Sequence, residues 1–296
     1  MPESMNLHQI NEGSARGAGG VVSDPAAATA LKSAVRDFWE QGSCGEVYAE
    51  GASARERFEA QAKARYEMEG FIFPFARFQE GAGKDVLEIG VGMGADHVEW
   101  AKSRPRSLNG VDLTQRAVDH TRRRVELYGL DSTVQTADAE HLPFADESFD
   151  IVYSWGVLHC TPDTPRAIRE VWRVLRPGGS ARIMVYHRHA LVGYMLWARY
   201  ALLKGKLGRS LDEVYGEYLE SPGTKVYNEE EARGLFKDFS RVTTSIELSN
   251  GDLLEGEAGQ RHHGALLSLG RRIWPRGLVR KLFPRRGLFL MIDAVK

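Results

Sequence analysis

Val86–Asp96 reads VLEIGVGMGAD, an apolar strand that runs into a glycine turn and then a helix. Glycines at such a turn let the backbone approach a ligand closely, and the helix N-terminus behind them offers unpaired N–H groups. The spacing satisfies two patterns. Gly90, Gly92 and Gly94 make GxGxG, whereas Gly90, Gly92 and Ala95 make the GxGxxG/A of dinucleotide sites. In both, Asp112 ends the next strand about 20 residues on and is placed to hold a ribose hydroxyl. The turn by itself points to an adenosine-like ligand and leaves its identity open.

Outward from this stretch, the chain between 84 and 179 alternates short apolar strands (DVLEIG, SLNGVD, STVQTAD, FDIVYS) with amphipathic helical patterns starting near Ala95, Thr114 and Thr164. That alternation predicts an α/β fold whose largely parallel sheet is covered on both faces. RPGG at Arg176–Gly179 predicts a helix end and a turn before the strand SARIMVYH. Further on lie a strongly apolar stretch, Ala190–Gly208, a helix NEEEARGLFKDF capped by Asn228, a strand RVTTSIEL, and a last strand within GLFLMIDAV. Residues 1–30, rich in Gly, Ala and Ser, are expected to be a disordered tail. Residues 31–83 are expected to form a helical cap and 84–296 the main domain. The insertions 190–227 and 250–287 are too long for simple connections and are expected on the ligand side of the sheet.

Two further features narrow the ligand. Glu88 stands two residues before Gly90, where a carboxylate repels a pyrophosphate and attracts an ammonium or sulfonium. Asp138, Ala139 and Glu140 end the third strand, where a carboxylate accepts from an adenine amino group. The ligand becomes a nucleoside carrying an amino acid. With VLEIGVGMG, GVDLT, TADAEHLPFADESFDIVYSWGVLHC and RVLRPGG in this order, the chain resembles the class I S-adenosylmethionine-dependent methyltransferases. In character it is most similar to the ubiquinone and menaquinone C-methylating enzymes that act on small or lipid-like acceptors.

The resemblance implies a Rossmann-like seven-stranded sheet with its last strand antiparallel, and S-adenosylmethionine as cofactor. It implies that Glu88 meets the methionine amino group and that Gly90, Gly92 and Gly94 line methionine and ribose. Asp112 would grip the ribose with Leu113 against the adenine, and Asp138, Ala139 and Glu140 would face the adenine edge. Ser154, Trp155 and His159 follow the fourth strand at the edge where ligands of open α/β sheets collect. Methyl transfer from a sulfonium needs alignment and water exclusion, and a base only where the acceptor must lose a proton. His159, Tyr186 and His189 are the candidates, with His187 beside them in VYHRH. Tyr66, Trp155, Arg188 and Trp197 are candidate acceptor-pocket residues, with Phe38, Trp39 and Tyr48 from the cap.

Composition sets the outer bounds. In 296 residues, 39 Lys and Arg oppose 40 Asp and Glu, so the chain lacks the overall positive field of a nucleic-acid binder. Two cysteines, Cys44 and Cys160, make no disulfide framework and no CxxC pair, which suits a cytoplasmic protein without a structural metal. The fourth strand ends in SWGV, without the Asn/Asp-Pro-Pro-aromatic tetrad of base-amino methylation. A small organic acceptor remains. The segment 261–286 is basic and interleaved with apolar residues, a pattern suited to peripheral contact with an anionic membrane surface. Two rival readings stand beside the enzyme: a non-catalytic protein that binds the same nucleoside, and a nicotinamide oxidoreductase, which Glu88 argues against.

Overall fold

The computed structural model describes residues 21–255, 272 and 274–296. Its strands are β1 (Asp85–Ile89), β2 (Ser107–Asp112), β3 (Thr133–Thr136), β4 (Phe149–Trp155), β5 (Leu175–His187), β6 (Val226–Tyr227), β7 (Arg241–Glu247) and β8 (Phe289–Val295). They form one sheet in the order β3-β2-β1-β4-β5-β8-β7, with β6 pairing beside the end of β5. The pairs among β1 to β6 are parallel, and β8 runs antiparallel to both β5 and β7. The expected seven strands with an antiparallel last strand are therefore present. Two-residue β6 is an addition that no sequence period announced.

All five residues of β1 are buried because both faces of the sheet are covered. Val86, Ile151 and Tyr153 pack with Trp100 of α4 (Ala95–Lys102), and with Ile72 and Phe78 from α3 (Ile72–Ala76) and the turn after it. Leu87, Ile89 and Val152 face the other way. They join Ile168 and Val171 of α6 (Thr164–Val174), and Phe236 just after α9 (Glu229–Leu235). The remaining helices are α1 (Pro25–Gln41), α2 (Ala54–Met68), α5 (Gln115–Tyr128), α7 (Leu191–Tyr200), α8 (Leu211–Tyr218), α10 (Asn250–Leu253) and α11 (Arg276–Leu282). Part of the N-terminal cap is thus a layer of the core.

Two local expectations need correction. Helix α1 starts inside the supposed disordered tail, because the Asp24 carboxylate accepts from the Ala26 and Ala27 N–H groups and Pro25 is pre-set for the first turn. The small-residue composition hid that start signal, and residues 1–20 lie outside the described residues. At RPGG, α6 ends at Val174 and β5 begins at once. Leu175 pairs with Phe149 and Ser180 with Ile151, so Arg176–Gly179 is an excursion within the strand. That excursion brings Arg176 to Asp85 (2.7 Å) and Asp150 (3.0 Å) at the amino ends of β1 and β4, where Arg106 also reaches both.

Candidate functional site

At the carboxyl ends of β1, β2, β4 and β5 lies a cavity of ≈ 430 Å³. One end is made by Glu88, the turn Gly90–Met93, Asp112, Leu113, Asp138 and Ala139. The other is made by Trp155, Met184, Tyr186, Leu288 and Phe289 from the sheet. Val192, Leu196, Leu219 and Glu220 come from the first insertion, and Asn250 and Gly251 from the described part of the second. The residues named from each insertion thus border this cavity, and 256–271 and 273 of the second lie outside the described residues. Helix α1 and the segment after it close the cavity with Lys32, Val35, Trp39, Cys44 and Tyr48.

The glycine turn is shaped by two constraints. Gly90 has φ +85°, and a Cβ there would lie 2.0 Å from Val157 Cγ2, so the turn presses on the loop after β4. Gly92 has φ +51° with nothing within 4 Å of a Cβ, so its open side is room for a ligand. The Gly92 N–H donates to Asp112 Oδ2 (3.2 Å), and Thr114 donates to Oδ1 through its N–H (3.0 Å) and hydroxyl (2.9 Å). A ribose hydroxyl that bonds Asp112 would share its oxygens with these donors or replace the Thr114 hydroxyl. Burial pushes its carboxyl above the ordinary range, against those same donors.

Glu88 is buried, with Oε2 2.8 Å from His97 Nδ1, whose Nε2 meets Ser132 Oγ at 2.5 Å. Burial drives the Glu88 carboxyl well above its usual range and the His97 imidazole down to about 3, which favours the uncharged form of each. A cation set against Glu88 reverses that preference and favours the carboxylate. Beside it, Asp96 accepts from Arg65 Nε (3.0 Å) and NH2 (2.6 Å), Tyr66 (3.0 Å) and Tyr153 (2.8 Å). Despite burial, these donors hold the Asp96 carboxyl below its ordinary value. Lys32 spans Asp138 (2.6 Å) and Glu140 (2.7 Å), tying α1 across the end of β3.

With a turn, two strand-end carboxylates and a closed cavity in place, the sequence can be compared with known proteins. Residues 87–183 match the family described as methyltransferase domain. The chain is 44% identical over 98 residues to the phthiotriol/phenolphthiotriol dimycocerosates methyltransferase of Mycobacterium tuberculosis, covering 33% of this chain and 36% of that protein. It is 35% identical over 111 residues to methyltransferase GfsG of Streptomyces halstedii, covering 37% and 40%. These matches thus span little more than a third of each relative's length. Among solved structures, a phosphoethanolamine N-methyltransferase of Haemonchus contortus in complex with S-adenosyl-L-methionine shares the fold, with TM-score 0.57 and 18% identity over 88% of this chain and 60% of that one. The [4+2]-cyclase SpnF shares it too, with TM-score 0.50 and 15% identity over 90% and 92%. The fold alone does not fix the reaction.

Around this cavity the predicted site residues divide. Glu88, Gly90, Gly92, Asp112, Leu113, Asp138, Ala139, Trp155 and Tyr186 line the cavity, as do Trp39 and Tyr48 of the cap. Others do not. Gly94 turns toward α5, where a Cβ would lie 2.9 Å from Thr121 Oγ1. Ser154 is fully buried and donates to the Ile89 carbonyl (2.9 Å), so it joins two strands. Glu140 accepts from the Asp163 N–H (2.7 Å) as well as Lys32, which leaves it a brace for the β3 end.

His159 lies behind the wall, fully buried, its ring 4.2 Å from that of Tyr186. Neither ring nitrogen has a hydrogen-bond partner among the described residues, and burial lowers its pKa to about 3, with Lys225 adding to the shift. It backs Tyr186 and cannot reach the cavity. His189 contacts Tyr194 (3.0 Å), Arg188 is held by Asp212 (2.9 Å) and Glu231 (2.6 Å), and Trp197 donates to the Arg209 carbonyl (2.7 Å). Tyr66 gives its hydroxyl to Asp96. None of these four lines the cavity.

Of the three candidate bases only Tyr186 faces it, and its hydroxyl donates to Glu220 Oε2 at 2.6 Å. Sequence reasoning missed Glu220, Glu69, Lys32 and the Arg65–Asp96 pair. Asp96 alone carried a signal, an acid in the first turn after the glycine loop, and that signal has the ordinary meaning of a helix N-terminal charge.

Proposed function

We propose that this chain is a class I methyltransferase that moves a methyl group from S-adenosylmethionine to a small, largely apolar acceptor by in-line displacement. The observation that carries the reading is the single cavity, which joins the glycine turn, Asp112 and Asp138 to an apolar end around Trp155, Tyr186, Leu196 and Phe289. The open side of Gly92 and the strand-end carboxylate of Asp112 fit a ribose, Leu113 and Ala139 offer apolar contact to an adenine, and Glu88 suits the methionine ammonium. When bound, S-adenosylmethionine supplies a methyl group on a positively charged sulfur. The chain aligns the acceptor and keeps water out, with α1 and α7 as walls. An acceptor of lipid-like character is in keeping with the name of the mycobacterial relative.

The exposed Leu278, Leu282 and Phe283, mixed with the exposed Arg280, Lys281 and Arg285, favour contact of this face with an anionic membrane surface; residues 261–271 and 273 of that basic segment lie outside the described residues. No helix among the described residues is long and apolar enough to cross a membrane. Free thiols at Cys44 and Cys160 accord with a cytoplasmic location.

Calorimetric titration with S-adenosylmethionine, S-adenosylhomocysteine and NAD tests the cofactor. Binding of the first two and not the third is expected, followed by a one-methylene mass gain in an acceptor panel. Binding of NAD alone would overturn the reading, and tight S-adenosylhomocysteine binding without any methylated product would favour a non-catalytic binder.

A further inference from the structure

Among the described residues, the acceptor end of the cavity is mostly apolar and carries a group of polar side chains around Glu220. Tyr186 donates to Glu220 at 2.6 Å, and both face the cavity. Glu69, just past α2, lines it as well, with an Arg65 nitrogen 3.4 Å from Oε2. The described lining residues include seven carboxyl groups, Glu69, Glu88, Asp96, Asp112, Asp138, Glu220 and Glu255, against two cations, Lys32 and Arg65. Both cations are spoken for: Lys32 bridges Asp138 and Glu140, and Arg65 is bidentate on Asp96. Among the described lining residues carboxyl groups thus outnumber cations, which disfavours an anionic acceptor.

Resting on the methyltransferase reading above, the geometry points to Glu220, held by Tyr186 and faced by Glu69, as the group that takes a proton from the acceptor, which presents an O–H or N–H there on an apolar skeleton. As the acceptor's O–H or N–H bond breaks, its proton goes to the Glu220 carboxylate. The freed pair forms the bond to the methyl carbon, and the pair of the old carbon–sulfur bond leaves with sulfur. Glu220 faces Tyr186 from β5, Glu69 from the end of α2, Cys44 from the segment after α1, and Cys160 from the turn after β4. Arg65, Asp96 and Trp155 surround Glu69 in turn. Burial, with Asp96 and Glu220 adding and Arg65 opposing, pushes Glu69 up to about 7, so this end of the cavity gains or loses a proton near neutrality.

The test uses three probes of one chain length, decylamine, decanol and decanoate, titrated calorimetrically into the whole protein with and without S-adenosylhomocysteine. The amine and the alcohol are expected to bind and the carboxylate to fail. Glu220→Gln is expected to weaken the amine by about tenfold or more, with Tyr186→Phe intermediate, while both variants keep wild-type affinity for S-adenosylhomocysteine. Whichever protic probe gains a methyl group identifies the atom class. Decanoate binding as tightly as decylamine, no binding by any probe, or a Glu220→Gln variant with unchanged amine affinity would each overturn the proposal. Failure of S-adenosylhomocysteine to bind while the amine still does so through Glu220 would bring down the cofactor reading alone.

Discussion

The two ends of the sheet carry the same kinds of side chain in opposite electrical states. At the amino ends of β1 and β4, Asp85 and Asp150 meet Arg106 and Arg176 in partly wet surroundings. For Asp85 the Arg106 guanidinium is the largest influence, and with Ser107 and Arg176 it holds the carboxyl well below the usual range. At the carboxyl ends, Glu88 is buried and Asp112 and Glu69 are half-buried among more acids than cations, and desolvation raises all three. Partner supply decides the sign. An acid matched by a guanidinium contributes to folding, whereas an acid buried without a full match stores a demand for positive charge or for a proton. The first end is built to stay together and the second to receive a ligand.

Substitutions at the two ends should therefore separate binding from stability. The largest effect is expected for Asp112→Ala, which removes the ribose acceptor. Affinity for S-adenosylmethionine should fall by about 1.5–3 kcal/mol, or roughly ten- to hundredfold by calorimetry, while the circular dichroism spectrum is retained. Unchanged affinity would move the ribose elsewhere in the cavity. A smaller effect of the opposite kind is expected for Asp85→Asn. Losing its charge-assisted bonds, discounted for partial exposure, should lower stability by about 1 kcal/mol in a thermal melt and leave S-adenosylmethionine affinity unchanged. A loss of affinity there would mean that the two ends are coupled through β1.

This division also explains what could be read in the sequence. The turn, the strand-end Asp112 and the last strand were legible because each is local, a glycine spacing or an apolar run, whereas the antiparallel direction of that strand followed only from the family resemblance. The Asp24-Pro25 helix start was equally local and was obscured by a low-complexity neighbourhood. The Arg65–Asp96 and Tyr186–Glu220 pairs were not legible, since 31 and 34 residues separate the partners and only the fold brings them together. Among the histidines, period-two alternation states which residues share a face and leaves open which face meets a ligand. His159 follows β4 as a catalytic histidine would, yet Tyr186 stands between it and the cavity.

The smallest expected effect sharpens the contrast most, because it separates the ends by pH. Glu69 has a folded pKa of about 7 against an ordinary value of about 4.3 for an unfolded chain. A raised folded value means that the folded state holds the proton more tightly. The stability this contributes is fully present below pH about 4.3 and is lost as pH rises through about 7. Asp85 behaves in the reverse sense: its contribution is present above pH about 3.9 and is lost only as pH falls through its depressed folded value. Between pH about 5 and 8 the amino end is therefore silent and Glu69 titrates. The melting temperature of the ligand-free protein should fall across that window by more in the wild type than in Glu69→Gln. Equal slopes in the two proteins would show that Arg65 compensates Glu69 fully, and the acceptor end would then lack its near-neutral proton.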